Sequence, residues 1–584
     1  MRVLLLHPED VPSSGPWSRL RWDLVVDLGK SSRYSEESWA LQQGCPVLRS
    51  DLFRRGVSDA ERVREVLSAG RGRLIDERGI DWWDLTCMLL VPDVLNTLAL
   101  QRVAEEIPRG AELWSTRAGW PASVVACQLG HPAQSFAGGR IARMAARTGH
   151  YAGLLRRFST AQLREIALDK YDSSYRWRSR FAAKQKACPD PVVLLPSAYS
   201  NVSRMAAAYA RLLPQQPFLM VGTRQSAKQF TPPSNVQVRD LAAYPKGDYP
   251  AAEISSVVER WTELRAELCS SPELRVLLEA GVLDSIPGWF HDGLCARNAW
   301  RNVLEREPVS GVLCGDDSNL FTRLPVLLAA REKIPTVDFH HGAFDGRYLY
   351  KDLPCDVYMA KSEMEREYLL RVCQLPAEKV VIAAPAATQV STATRRDGDQ
   401  GRSVILFSEP YEAVGMRGDE VYHELVPRLL QVARENGRGL IIKLHPFESR
   451  TQRRRLVREI LGPDDSALVS VLDGPLTSEL ISQAWFGITV ESTTVMDCWQ
   501  NGVCCFLCGW LTLSPFGYVQ QYARFGVGEV LHDLEQIAAT PVRVADFYNH
   551  PAPRSIVTAA ADPALLQRWL TSSFFEPSSA RSAS

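Results

Sequence analysis

Three short polar segments each follow an apolar run and carry residue types that bind charge or move protons. Ser408-Glu409-Pro410 follows the run 404–407, Lys443-Leu444-His445-Pro446 ends the run 440–444, and Glu491-Ser492-Thr493-Thr494 joins the run 487–490 to a helical pattern. In open parallel sheets ligands bind beyond the carboxyl ends of the strands, which is where these segments fall. Pro446 biases His445 toward extended backbone, placing an ammonium and an imidazole on that edge. Hydroxyls and N–H groups at a helix start, as at Ser492, Thr493 and Thr494, receive phosphate, and the neighbouring Glu491 suits a ribose hydroxyl or a base. Each segment also has a plainer role, N-capping for Ser492–Thr494 and turn stabilisation for His445.

A second set lies further toward the N-terminus. Asp316 and Asp317 follow the apolar run 311–314, and His340-His341-Gly342 follows the run 336–339, with Gly342 permitting a sharp turn beside a ligand. Carboxylates or imidazoles so placed can take the proton of an attacking hydroxyl, so Asp316, Asp317, His340 and His341 are candidates for a general base. An Asp pair here equally serves as a solvated helix cap. Glu9-Asp10, after the first strand, ranks below them. Metal chemistry has little to rest on. Asp397-Gly398-Asp399 lies in a linker, and Cys505-Phe506-Leu507-Cys508 lies on a buried strand without a second ligand pair, so no metal and no resident cofactor is expected.

Positioning these residues requires parallel sheets. Apolar runs alternate with helical periods through most of the 584 residues, the signature of βαβ units, and the length suits about three or four compact domains. The expected fold class is α/β, with two Rossmann-like domains and an additional N-terminal α/β domain. The boundaries read from composition are 1–150 for the N-terminal domain, 151–190 for a helical connector, 191–384 for a Rossmann-like domain, 385–402 for a linker rich in Pro, Ala, Thr, Asp and Gly, 403–570 for a second Rossmann-like domain of five strands, and 571–584 for a disordered tail.

Lys plus Arg and Asp plus Glu both number 67, so any anion site is local and nucleic acid is not an expected partner. Thirteen cysteines, an odd count over a long chain, fit buried thiols in a reducing cytoplasm. Nowhere do about 18 uncharged apolar residues run together, so no spanning helix is expected. Arg140, Arg143 and Arg147 with Arg156-Arg157, and the Arg450–Arg458 cluster, read as solvated faces, the first also suiting an anionic membrane surface.

Lys443-Leu444-His445-Pro446 followed by Glu491-Ser492-Thr493-Thr494 before a helix resembles the donor half of GT-B glycosyltransferases, with the nearest likeness to bacterial capsule and surface-polysaccharide transferases and teichoic-acid glycerophosphotransferases. The resemblance covers roughly residues 310 to 515. It implies that His445, Ser492, Thr493 and Thr494 hold a nucleotide and its phosphates, and that two Rossmann-like domains face one another. It also implies transfer of a sugar from a nucleotide-sugar donor of CMP, CDP or UDP type, without a divalent ion, to a glycan or lipid-linked acceptor. The implied setting is cytoplasmic, with peripheral contact at the inner membrane. His340 departs from the family pattern, in which glutamine is commoner. A nucleotide-sugar 2-epimerase and a catalytically silent glycan-binding or scaffold relative stand as alternatives.

Overall fold

A computed structural model describes residues 1–7, 10, 15–27, 44–49, 57–131, 133–136, 186–228, 230–244, 251–340, 342, 351–384, 401–411, 418–445, 448–474, 476–511, 518–550 and 560–571. Most of the helical connector with the arginines of 140–157, most of the linker with Asp397 and Asp399, Glu9, His341, Pro446 and the tail from 572 lie outside the described residues.

The described strands form three sheets, every pair parallel. The first contains β1 (Arg2–Leu6), β2 (Leu24–Asp27), β3 (Val47–Arg49), β4 (Glu112–Ser115) and β5 (Ala133–Ser135), in the order β3-β2-β1-β4-β5. The second contains β6 (Val192–Ser197), β7 (Phe218–Gly222), β8 (Val236–Asp240), β9 (Val309–Cys314), β10 (Thr336–Phe339), β11 (Val357–Ala360) and β12 (Val380–Ile382), ordered β12-β11-β10-β9-β6-β7-β8. The third contains β13 (Ser403–Phe407), β14 (Gly439–Lys443), β15 (Val469–Leu472), β16 (Ala484–Thr489), β17 (Cys505–Cys508) and β18 (Glu529–Leu531), ordered β15-β14-β13-β16-β17-β18.

The α/β class with Rossmann-like sheets and an additional N-terminal α/β sheet is thus the observed architecture. Central strands such as Val192–Ser197 and Ala484–Thr489 are buried at every position, because helices cover both faces of a parallel sheet and leave no polar side. The third sheet has six strands where the sequence predicts five. Glu529–Leu531 is a three-residue edge strand, too short to print a period.

By packing, the chain divides into two compact units, one of Met1–Arg62, Asp93–Ala137 and Val390–Ser555, the other of Val63–Pro92, Gly138–Gln389 and Ile556–Ser584. Within the second unit, aromatic and charged side chains of residues 63–92 are buried with the second sheet's helices. Trp83 stacks on Trp261 at 5.8 Å, Trp82 meets Phe290 edge-on at 6.3 Å, and Asp76 pairs with the buried Arg297. The helix Pro563–Thr571, placed by sequence with the third sheet, instead buries Leu566, Trp569 and Leu570 among Val193, Phe218 and Leu313 of the second.

The helix Trp82–Glu106 is, among the described residues, long and apolar enough to cross a membrane by length and composition, although Asp84 and Asp93 interrupt its apolar run. Of its most apolar window 72% is buried within the fold, and Asp84 in its first turn is ion-paired to Arg323.

Candidate functional site

In the third sheet the strand order reverses between β13 and β16, so the segments after these two strands flank the switch point, where open α/β sheets take ligands. Gly487 makes the approach of the two strands possible. A Cβ there would lie 2.7 Å from the Phe407 ring and 3.1 Å from the sulfurs of Cys498 and Cys505. Ser408 and Glu409 leave β13 directly into the space in front of β16.

The Glu409 carboxylate fills the turn that leads into the segment the sequence assigns to phosphate, and of that segment it takes only the Ser492 N–H. Its Oε1 accepts hydrogen bonds from the Thr489 hydroxyl at 2.8 Å and from the N–H groups of Val490 at 2.9 Å, Glu491 at 2.8 Å and Ser492 at 3.2 Å. Burial, and after it the charge of Glu491, pushes the Glu409 carboxyl up to about 7, although these four bonds favour its charged form. The turn after β16 is therefore preformed, and its concavity already holds an acidic group. The start of the next helix is likewise served locally. Thr494 N–H bonds the Ser492 hydroxyl at 3.3 Å, and the N–H groups of Val495 and Met496 bond the carbonyls of Ser492 and Thr493. Thr493 is the N-cap, although its side chain makes no capping hydrogen bond, and the buried Thr494 hydroxyl has no partner among the described residues.

The cation expected beside this turn is also engaged. Lys443 is buried, and its ammonium donates to the carbonyls of Leu444 at 2.7 Å and Gly474 at 2.8 Å, tying together the ends of β14 and β15. Burial lowers its pKa, against the pull of Asp473 and Glu448. For His445, burial and then the charge of Lys443 lower the imidazole to about 4, so it is neutral at pH 7. The expectation of a local positive pocket at Lys443 and His445 is therefore corrected: the ammonium is spent on backbone carbonyls, and the imidazole is kept neutral by desolvation.

A network that the sequence reading missed forms the wall behind these groups. Glu448 accepts the His445 N–H at 2.9 Å and pairs with Arg453 at 2.8 Å; Arg453 also reaches Asp419 at 3.3 Å and lies over the Tyr422 ring at 4.7 Å. The Tyr422 hydroxyl meets the Ser408 hydroxyl at 2.9 Å. Arg453 was available in the sequence, because with Leu456, Val457 and Ile460 it keeps the i, i+3, i+4, i+7 spacing of a buried helix face, unlike the exposed Arg454 and Arg458.

In the second sheet the order reverses between β6 and β9. Gly315 ends β9 where a Cβ would sit 2.4 Å from the Phe339 ring. Asp316 and Asp317 follow, with different fates. Asp317 is enclosed: one oxygen is ion-paired to Lys351, and the other lies 3.3 Å from Arg323, which in turn holds Asp84 at 2.5 Å. Asp316 is a turn residue whose carboxylate accepts the Ser318 N–H at 3.3 Å and whose carbonyl accepts the Thr322 hydroxyl. Asn319 caps the next helix through the Phe321 N–H at 3.0 Å and reaches the Tyr199 hydroxyl beyond β6 at 3.2 Å. His340 is half-buried after β10, and the carbonyl of Gly342 accepts the Lys361 ammonium at 2.8 Å.

The structure thus brings together Ser408, Glu409, His445, Glu491, Ser492, Thr493 and Thr494 on the third sheet's edge, and sets Asp316, Asp317 and His340 on the second's. No group of three or more His, Cys, Asp or Glu side chains suited to a metal ion occurs among the described residues.

No family model matches the chain, and no curated protein matches it. Among solved structures it is similar to the UDP-GlcNAc 2-epimerase of Neisseria meningitidis bound to UDP-GlcNAc (13% identity, 65% of this chain and 99% of that one, TM-score 0.42). It is also similar to the Methanocaldococcus jannaschii UDP-GlcNAc 2-epimerase in complex with UDP-GlcNAc and UDP (11% identity, 65% and 99%, TM-score 0.41). A glycosyltransferase from Rickettsia africae matches at 10% identity over 62% of this chain and 89% of that one, with a TM-score of 0.37.

Proposed function

We propose that the chain is a GT-B-type enzyme acting on a nucleotide-sugar, and specifically a glycosyltransferase that moves the sugar to a hydroxyl of a surface-glycan or lipid-linked acceptor on the cytoplasmic side of the membrane. The observation that carries this reading is the meeting, at the β13–β16 switch point, of three turns far apart in sequence: Ser408-Glu409, His445 and Glu491-Ser492. Carboxylates beside hydroxyls and a neutral imidazole suit the hydroxyls and base of a nucleoside, which need acceptors and donors but no net charge. Glu491 is the residue assigned to the ribose hydroxyls. Glu409 is a positioning residue that fixes the turn.

In the transfer the bond from the anomeric carbon to the phosphate oxygen breaks and a bond to the acceptor oxygen forms. The nucleotide leaves as its phosphate, and the acceptor proton passes to a base. Asp317 is unsuited to that role, since both of its oxygens are held by buried cations. Asp316 and His340, on the second sheet's edge, are the proposed candidates for the base. The donor serves as co-substrate, and the reading needs no resident cofactor.

The test is calorimetric titration of the full chain with CMP, CDP and UDP. Binding of one of them, weakened about tenfold or more by Glu491→Gln, is the expected result; no binding by any of the three sinks the proposal. Incubation of UDP-GlcNAc without acceptor separates the epimerase reading, because accumulation of a 2-epimer requires no acceptor and a transferase yields none.

A further inference from the structure

The N-terminal sheet has a switch point of its own. Its order, β3-β2-β1-β4-β5, reverses between β1 and β4, so the described residues after these two strands, His7 and Asp10 on one side and Thr116, Arg117 and Trp120 on the other, lie at a ligand edge that the proposed function does not use. Both segments carry side chains able to recognise a ligand, and these are joined to one another. The His7 N–H donates to the Thr116 hydroxyl at 2.9 Å, fixing the end of β1 to the end of β4. Arg117 forks onto Asp10, its Nη2 2.9 Å and its Nε 3.2 Å from Oδ1. The Trp120 indole lies edge-on to the His7 ring at 4.8 Å, and its N–H is held by the Ser115 hydroxyl at 2.6 Å. That hydroxyl in turn donates to the Arg117 carbonyl at 2.6 Å.

Phosphate does not fit this edge. The helix after β4 begins with Trp120 as N-cap and Pro121 in its first turn, and the N–H groups of Ser123 and Val124 both bond the Trp120 carbonyl. Asp10 offsets the charge of Arg117. What remains is an aromatic ring fixed in orientation, half-buried, beside a charged fork with no net charge. An indole face receives the apolar C–H face of a ring, and an Arg–carboxylate pair offers donors and acceptors side by side to adjacent hydroxyls.

We infer that the β1–β4 edge binds a neutral saccharide unit, with Trp120 stacking against the sugar ring and Asp10 and Arg117 sharing its hydroxyls. The inference is independent of the nucleotide site, since it rests on a different sheet and different residues. It is tested on the full chain by saturation-transfer NMR with methyl β-D-glucopyranoside, methyl β-D-galactopyranoside and methyl N-acetyl-β-D-glucosaminide, and with inorganic pyrophosphate as competitor. The expected result is transfer to the ring C–H protons of at least one glycoside. It is lost in Trp120→Ala, retained in Trp120→Phe, which keeps a stacking ring without the indole N–H, and reduced about tenfold in affinity in Asp10→Asn. Absence of transfer for all three glycosides overturns the inference, as does equal binding by Trp120→Ala or displacement by pyrophosphate. The Trp120→Phe variant separates loss of the stack from loss of the fold.

Discussion

Glu409 and Asp317 hold the same kind of position in two different sheets. Each is a buried carboxylate just beyond a strand at the point where strand order reverses, and sequence reads both as acidic residues on a ligand edge. Their partners differ. Asp317 is enclosed by Lys351 and Arg323, so its charge is matched by buried cations. Glu409 has backbone N–H groups and a hydroxyl for partners and a second carboxylate, Glu491, nearby, so burial pushes it up to about 7. A paired carboxylate is part of the scaffold, whereas one held only by dipoles beside a like charge exchanges its proton near neutral pH.

Removing a partner from the enclosed group breaks the comparison most severely. Asp317→Ala leaves Lys351 and Arg323 buried without their shared counter-charge, and the expected loss is about 3–5 kcal/mol, read as a fall in denaturant midpoint. A variant within about 0.5 kcal/mol of the parent would show that Asp317 is not the keystone of that network.

The second test sharpens the contrast through pH. Glu409 carries a folded pKa above its ordinary value of 4.5, so its stabilising effect is complete below about 4.5 and is lost as pH rises through about 7. Glu409→Gln keeps a carbonyl oxygen for the four donors and cannot ionise. Its melting temperature relative to the parent should therefore rise between pH 5 and pH 8, by an amount equivalent to at most about 3 kcal/mol. His445 works in the opposite sense, its contribution being lost as pH falls from 6.5 toward 4, but it is present in both proteins and cancels from the difference. A difference that stays flat with pH would show that Glu409 does not titrate in this range.

The smallest expected effect concerns the wall of the third sheet's site. Ser408→Ala removes the hydrogen bond to Tyr422 and should cost about 1 kcal/mol. Because Tyr422 also carries Arg453 over its ring, Ser408→Ala and Arg453→Met should be non-additive in a double-mutant cycle.

Much of this was legible without coordinates. Buried parallel strands print near-continuous apolar runs, so β6, β9, β13, β14 and β16 and the polar turns after them could be placed from the sequence. The three-residue β18 could not, because Glu529-Val530-Leu531 is too short to show a run or a period. The roles of charged residues were the least legible. Lys443 looked like a ligand cation and is spent on two carbonyls, while Arg453 looked like part of a solvated face and is buried against Glu448.

By itself, then, the sequence determined the class of fold, the strands that end at a ligand edge and the polar residues that sit there, since these follow from local period and from the alternation of strand with helix. Only the tertiary structure decided which of those residues hold charge, which hold one another and which are poised to exchange a proton. Hydrogen-bond partners and desolvation arise between segments hundreds of residues apart, as with Asp84 and Arg323, and no local pattern encodes them.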